Sequence, residues 1–175
     1  REQWCLYRGK HLLNFVDNHD VNRIASTLTN EKHLPLIFGL MFAMPGMPCV
    51  YYGSEWGAKG VKAGGSDGEI RKSYEKPEWN DLTDYISAFA KARAEEKALW
   101  YGDYNTLVLT NHQYVFSREY QGEKIIIAIN ASDSPYVAHF NAGYGLADDL
   151  VSGKEHDFGG GSELKPYSVA YWKCK

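Results

Sequence analysis

The predicted fold depends on two apolar stretches that each end in polar residues: HLLNFVDNHD at residues 11–20 and GMPCVYYGSEWG at residues 46–57. Residues 11–17 and 47–53 are short and mostly apolar, which is typical of strands that are buried on both faces. Between them, residues 33–44 (HLPLIFGLMFAM) are apolar almost all round and predict a buried helix, after a shorter helical piece near residues 21–28. Two such strands joined by a helical crossover form a βαβ unit, whose strands are normally parallel.

The hydrophobic period changes near residue 98. Before it, Asn80 or Asp81 can cap a helix that runs to about Leu99, because apolar side chains recur there at helical spacing. After it, turn residues separate short candidate strands at residues 104–110, 114–120, 124–130, 136–140, 149–151 and 167–172. This pattern predicts a small antiparallel β-sandwich over residues 99–175, after a βα domain over residues 1–98, with the boundary between residues 98 and 103.

The composition excludes several classes of protein. The chain has 175 residues, of which 44% are hydrophobic and 23% charged, and its net charge of −3 does not indicate a partner nucleic acid. The longest apolar run, residues 34–44, contains Pro35 and Gly39 and is shorter than the roughly 20 residues that cross a bilayer, so no membrane contact is expected. Three cysteines form neither a disulfide framework nor a metal-ligand pattern, and so sparse and odd a set favours the cytoplasm. The compartment stays open, because a chain that begins at Arg1 is expected to lack its native start.

Polar side chains follow both predicted strands, where reactive groups of βα folds collect. Asn18, His19 and Asp20 come directly after the first strand, and burying them is costly unless they meet partners or a polar ligand. An alternative is structural: Asp20 or Asn22 caps the next helix and His19 simply packs. The aromatic residues after the second strand can likewise belong to the core, and Glu55 can be a catalytic or a supporting carboxylate.

The segments FVDNHD at residues 15–20 and GMPCVYYGSEWG at residues 46–57 resemble two signature segments of the α-amylase family, including their separation of about 30 residues. That family comprises retaining α-glucan hydrolases and transglycosylases built on a (β/α)₈ barrel. Gly65-Ser66-Asp67 followed by Arg71 is similar to the D-x-x-x-R pattern in the family's loop after strand eight. The resemblance implies that residues 1–98 hold barrel strands seven and eight with their helices, and that the sandwich is the family's C-domain.

The resemblance also implies roles for individual residues. Asp20 becomes the family carboxylate that holds the 2- and 3-hydroxyls of the sugar at the cleavage subsite, with His19 beside it as a hydroxyl partner. Hydrogen bonds to the 2-hydroxyl that strengthen in the transition state supply several kcal/mol to glycoside hydrolysis. The remaining candidates would bind hydroxyls or stack on sugar rings: Asn18, Asp67, Arg71, Trp56 and Tyr52.

Retaining glycosidases need a carboxylate nucleophile and a carboxylic acid, and the family segments that carry them do not occur in the sequence. The resemblance therefore implies the C-terminal part of a larger enzyme that acts on an α-glucan or maltooligosaccharide, and we expect these 175 residues to be inactive alone. The missing barrel portion or a second copy is expected to cover the exposed apolar face. No metal or cofactor is expected in this chain, although calcium is possible in the complete protein. Two alternatives stay open: a non-catalytic carbohydrate-binding or interaction module of the same fold, and an unrelated βα enzyme.

Overall fold

A computed structural model describes residues 6–64 and 66–175. The N-terminal part contains β1 (Leu13–Asn14), α1 (Ile24–Thr27), α2 (Leu34–Ala43), β2 (Met47–Pro48), α3 (Asp81–Glu95) and α4 (Lys97–Tyr101), with short 3-10 helices at Glu31–His33 and Ser54–Trp56. The C-terminal part contains β3 (Asp103–Leu109), β4 (Gln113–Tyr120), β5 (Glu123–Asn130), β6 (Tyr136–Ala138), β7 (Leu146–Asp149), β8 (Glu155–Asp157), β9 (Ser162–Leu164) and β10 (Ser168–Cys174).

Strands β1 and β2 lie parallel, with Leu13 opposite Met47, and this confirms the predicted βαβ unit. The predicted strand lengths are wrong, because regular pairing covers only two residues on each strand. After β2 the chain soon turns, and the Ser54 amide donates to the Tyr51 carbonyl at 3.0 Å. Among the described residues no further strand pairs with either outer edge, so nothing prolongs the ladder.

The C-terminal strands form an antiparallel sheet in the order β3-β4-β5-β10-β7-β8, and β6 pairs with β9 in a second sheet. A small apolar core that includes Val115, Ile126 and Leu164 lies between them. The predicted strand at residues 149–151 is misplaced, since the Asp149 carboxylate accepts from the Val151 amide at 3.1 Å and closes a turn where β7 ends. Strands β8 and β9 are additions to the prediction, which placed only a glycine-rich turn at 159–161.

Helix α3 begins as predicted, with the Asn80 side chain accepting from the Leu82 and Thr83 amides at 3.1 and 3.2 Å. It ends earlier than the predicted Leu99. Glu96 has extended backbone angles and separates α3 from α4. Its buried carboxylate accepts a hydrogen bond from Lys173 on β10 at 2.8 Å, so a tertiary contact holds the break.

Helix α2 joins the two parts through one shared apolar core. Gly39 permits the contact, because a Cβ at this position would lie 2.8 Å from Val169 on β10. Close by, the rings of Phe89 on α3 and Tyr171 on β10 stack with 5.3 Å between centroids. The Tyr171 hydroxyl donates to the Gly39 carbonyl, and burial raises the pKa of this tyrosine. The α3 helix and the β-sheet are therefore packed through the same layer of side chains.

Two arginines satisfy the C-terminal end of α2, where backbone carbonyls have no helical partner. Arg93 on α3 donates to the carbonyls of Phe42 and Met44 at 3.0 and 3.1 Å. Arg118 on β4 donates to the Ala43 carbonyl at 2.6 Å and to the Gly102 carbonyl at 3.1 Å. Burial lowers the pKa of Arg118 to about 9, which leaves the guanidinium charged at neutral pH. We call Arg93, Arg118 and the carbonyls of Phe42, Ala43 and Met44 the α2 cap.

No helix within residues 6–64 and 66–175 is both long and apolar enough to cross a membrane.

Candidate functional site

The loop after β1 is fastened to the turn after β2 by a buried carboxylate. Asp17 is 1% exposed and accepts from the Ile24 amide at 2.8 Å, so it caps the start of α1. The Ser54 hydroxyl donates to the same carboxylate at 2.8 Å. The alternative that Asp20 or Asn22 caps the next helix is therefore wrong, because Asp17 caps it instead. The Asn22 side chain instead accepts from the Lys62 amide.

Arg23 supports this junction from below the loop. Its side chain is fully buried, and Nη1 donates to the Tyr52 carbonyl at 2.7 Å and to the Ser54 hydroxyl at 3.2 Å. The guanidinium carbon also lies 4.1 Å from the centroid of the Tyr51 ring, within range of a cation–π contact. Arg23 was not predicted as a site residue, although its cationic side chain three positions after Asp20 was the available signal.

Five polar side chains meet above this support, and we call them the carboxylate cluster: His19, Asp20, Lys62, Asp67 and Arg71. The Arg71 guanidinium connects them, since Nη2 lies 3.2 Å from Asp20 Oδ1 and 2.6 Å from Asp67 Oδ2. His19 Nε2 lies 3.2 Å from the other Asp20 oxygen, and the Lys62 ammonium lies 3.3 Å from Asp67. Residues that are far apart in the sequence thus share one network. Lys62 was not predicted.

Asn18 supports the shape of the same loop. Its side-chain oxygen accepts from the Asp20 amide at 2.8 Å, which closes a tight turn and presents the Asp20 side chain at the surface. Arg71 adds a second restraint, because its Nε donates to the His19 carbonyl at 3.0 Å. The orientation of Asp20 is therefore held from the backbone as well as through its own carboxylate.

The predicted aromatic residues line a recess of about 490 Å³ that adjoins the carboxylate cluster. Tyr52 and Trp56 lie on its wall with Tyr74, whose ring centroid is 6.0 Å from that of Tyr52 and 5.3 Å from that of Trp56. The Tyr52 hydroxyl donates to the Lys72 carbonyl, which fixes the ring while 44% of the residue stays exposed. Arg71 lines the recess as well, so this residue joins the two features. Tyr74, which also lines the recess, was not predicted.

This arrangement provides hydrogen-bond acceptors, donors and aromatic faces at one surface. Ionised carboxylates accept from hydroxyls, the guanidinium and ammonium groups donate to them, and the rings offer apolar faces. Within the described part of the chain, no three His, Cys, Asp or Glu side chains are grouped so that they could hold a metal ion. The chemistry that these residues support is therefore the binding of a polar, hydroxyl-bearing molecule.

Comparison with known proteins shows the family to which the chain belongs. Residues 3–121 match the sequence model of the α-amylase catalytic domain, and residues 102–155 match that of the α-amylase C-terminal domain. The chain therefore belongs to the α-amylase family. Its fold is the last part of a (β/α)₈ barrel followed by an antiparallel β-sandwich, as predicted.

Individual relatives agree with this assignment. The chain is 28% identical over 146 residues to an α-amylase of Saccharomycopsis fibuligera, covering 80% of this chain and 29% of that protein. It is 28% identical over 145 residues to a cyclomaltodextrinase of Thermoanaerobacter pseudethanolicus, covering 79% of this chain and 24% of that protein. The crystal structure of an α-amylase from Geobacillus thermoleovorans, in complex with acarbose, superimposes with a TM-score of 0.83 at 22% identity, covering 94% of this chain and 39% of that one. The chain thus spans less than a third of the length of these two curated relatives.

Proposed function

We propose that this chain forms part of an α-amylase-type glycoside hydrolase or transglycosylase that acts on α-linked glucans by a retaining mechanism. The observation that carries the proposal is the carboxylate cluster, in which Arg71 binds both Asp20 and Asp67 beside an aromatic recess. Family membership supports the same reaction, since the matched relatives include an α-amylase and a cyclomaltodextrinase.

Asp20 is the residue that we place closest to the reaction, where it holds the 2- and 3-hydroxyls of the sugar at the cleavage subsite. Its carboxylate is exposed, so a hydroxyl can reach it without unfolding the loop. Negative charge at this position also favours an oxocarbenium-like transition state. His19, whose Nε2 points at the same carboxylate, would share one of these hydroxyls.

The neighbouring sugar would contact Asp67 and Arg71, since Arg71 pairs with Asp67 and also lines the recess. Asn18 would bind a hydroxyl through its amide while it maintains the turn. The Tyr52 and Trp56 rings offer surfaces on which the apolar face of a pyranose can stack. A glucan or maltooligosaccharide chain would then run from the carboxylate cluster into the recess.

The nucleophile and the general acid, on this proposal, come from barrel segments outside the chain. An open groove of about 540 Å³ supports that view, since its lining is mostly apolar residues in and around β1 and α2, including Leu13, Phe15, Ile37 and Leu40. A barrel requires further strands to cover such a surface, and we propose that the remaining barrel portion lies there. No metal is proposed within this chain, and any calcium ion would be bound by segments outside it.

The test is to express the protein from its complete reading frame and follow the hydrolysis of maltoheptaose by NMR. We expect release of the α-anomer first, because a retaining mechanism keeps the configuration of the cleaved bond. Release of the β-anomer would contradict the mechanism, and binding of maltoheptaose without turnover would instead favour a non-catalytic carbohydrate-binding module. The 175-residue chain assayed alone should show no turnover.

A further inference from the structure

A small cavity lies at the end of the parallel strands that is opposite the carboxylate cluster. It encloses about 100 Å³, and its lining comes from residues 9–11, 45–46 and 100–102 and from Arg118 on β4. The first two segments come just before β1 and β2 begin, whereas the members of the carboxylate cluster follow those strands. Because the two strands are parallel, the cavity and the cluster lie at opposite ends of the barrel portion.

Arg118 forms the base of this cavity. It is fully buried, and it donates to the Gly102 carbonyl through Nε at 3.3 Å and through Nη2 at 3.1 Å. Nη1 donates to the Ala43 carbonyl at 2.6 Å. A guanidinium has five N–H groups, so one N–H on each Nη donates to no residue that the structure describes. Buried donors without an acceptor are costly, which favours a ligand that accepts from them.

No described carboxylate neutralises the charge at the base. Neither Arg118 nor its neighbour Arg93 forms an ion pair with a described residue. Burial, and then the positive charge of Arg93, lower the pKa of Arg118 to about 9. Asp103 acts in the opposite direction, but its side chain is 71% exposed and lies 3.7 Å from Arg8. The carbonyls of the α2 cap carry only partial negative charge, so the buried cations still lack a full counter-charge.

The open rim of the cavity is basic as well. Lys10 and His11 are exposed there, and none of the residues that line the cavity is acidic. The Lys10 amide donates to the Tyr7 carbonyl at 2.9 Å, which closes the turn that carries Lys10. The His11 ring lies perpendicular to the Tyr101 ring, with 6.0 Å between centroids. A basic rim above a buried guanidinium attracts an anion and repels a cation.

The volume and the donors together select the kind of anion. A water molecule occupies roughly 30 Å³ of the liquid, so the cavity has room for an ion of a few heavy atoms and is too small for a sugar ring. A guanidinium presents its N–H groups in a plane that matches two oxygens of an oxyanion. We propose that the cavity binds a small inorganic oxyanion of the size of phosphate, between Arg118 at the base and Lys10 at the rim.

The bound ion would connect the barrel portion to the sandwich. Residues 9–11 and 45–46 belong to the first part, and Arg118 belongs to the second. An ion that contacts both parts is released when either of them unfolds, so its binding stabilises the folded protein. Because the cavity is remote from the carboxylate cluster, the ion should change stability and leave glucan cleavage unaffected. The proposal does not depend on the proposed function.

The experiment measures the thermal unfolding of the protein from the complete reading frame in sodium phosphate at neutral pH, with sodium chloride holding the ionic strength constant. We expect about 10 mM phosphate to raise the unfolding midpoint by roughly 2 °C or more, since a ligand that binds only the folded state stabilises it. Isothermal titration calorimetry should show a single phosphate site in each chain. In the same buffers, kcat and kcat/KM for maltoheptaose should not change.

Lys10→Met should raise the dissociation constant of phosphate roughly tenfold, because one charged hydrogen-bond partner is removed. Its midpoint without phosphate should equal that of the wild type, since Lys10 is exposed and forms no ion pair with a described residue. Lys154→Met is the matched control, because Lys154 is an equally unpaired, exposed lysine outside the cavity lining. It should bind phosphate like the wild type. Arg118→Lys keeps a positive charge but loses the planar set of donors, so it should lose phosphate binding.

Several outcomes would overturn the inference. One is a midpoint that does not respond to phosphate, and another is a response that Lys10→Met and Lys154→Met change equally. Phosphate binding that is lost in Arg71→Met, or competitive inhibition of maltoheptaose hydrolysis by phosphate, would place the ion at the carboxylate cluster instead. A protein that binds phosphate with the expected dependence on Lys10 but does not cleave glucans defeats the proposed function and leaves this site standing.

Discussion

The carboxylate cluster and the α2 cap both contain arginines with several hydrogen-bond partners, yet they differ in what those partners are. In the cluster, Arg71 binds two carboxylates at the surface, and its side chain is 44% exposed. In the cap, Arg118 is fully buried and donates to main-chain carbonyls. The first set of partners can be exchanged for water or a ligand, whereas the second cannot leave without exposing buried polar groups.

The difference separates residues that serve binding from residues that serve stability. Exposed ion pairs contribute only about 0–1 kcal/mol, so the cluster can rearrange around a sugar at small cost. Buried carbonyls that lose a donor cost about 1–3 kcal/mol each, so the α2 cap holds the helix to the sheet. Substitutions at the two places should therefore change different measurements.

The largest effect is expected for Asp20→Asn in the complete protein. The amide keeps the shape of the side chain but removes the charge opposite the developing cation, so kcat and kcat/KM should fall together by roughly 10²–10³-fold. The free energy of unfolding should change by less than about 0.5 kcal/mol, as expected at an exposed position. Steady-state kinetics on maltoheptaose and urea denaturation measure the two effects. Wild-type turnover would show that Asp20 does not have the proposed role.

Arg118→Met should instead lower the free energy of unfolding strongly. Methionine fills part of the space but leaves the Ala43 and Gly102 carbonyls without a donor, which should cost about 3 kcal/mol of unfolding free energy. Arg71→Met is the matched control, because it removes an arginine from the exposed cluster and should cost less than about 1 kcal/mol. Equal losses in urea denaturation would mean that the comparison between the two regions is wrong.

Ser54→Ala tests the support beneath the cluster. The hydroxyl is buried and links the Asp17 carboxylate to Arg23, so its loss should cost about 2 kcal/mol of unfolding free energy. Because the loop after β1 loses one attachment, kcat on maltoheptaose should also fall. A stability equal to that of the wild type would indicate that the Asp17–Ser54 contact contributes nothing to the fold.

The smallest expected effect is on the pH dependence of the free energy of unfolding, and it arises at a residue outside both regions. Burial lowers the pKa of His156, whose ring stacks on Trp172 with 3.9 Å between centroids. The unfolded chain therefore binds a proton at His156 more readily than the folded chain does. The contribution of neutral His156 to the free energy of unfolding is complete above the unfolded pKa of about 6.5, and it is lost as the pH falls below that value. Unfolding free energies measured across this range should show the decline. In His156→Phe, which cannot be protonated, the decline should be smaller, and an identical pH profile would contradict the assignment.

Local patterns in the sequence determined much of the architecture. The parallel pairing of β1 with β2 followed from two apolar stretches and a helix between them, and the start of α3 followed from Asn80 as a cap. The predicted burial of both strand faces was wrong, since Leu13 and Met47 are 57% and 52% exposed. The segments at residues 15–20 and 46–57 together were sufficient to predict the family, because each consists of consecutive residues. The roles of Asp20 and the other site residues remain predictions.

Only the tertiary structure decided the contacts between residues that are distant in the chain. Asp20 meets Arg71 across 51 positions, and Arg118 meets the end of α2 across 75, and no periodicity encodes such pairs. The break at Glu96 is of the same kind, since a lysine on the last strand holds it. The tertiary structure also decided which residue caps α1. The geometry of the loop, rather than the position next to the helix, selected Asp17 over Asp20 and Asn22. Local chemistry thus determined which elements form, and the packing of those elements determined which polar groups stay at the surface to meet a ligand.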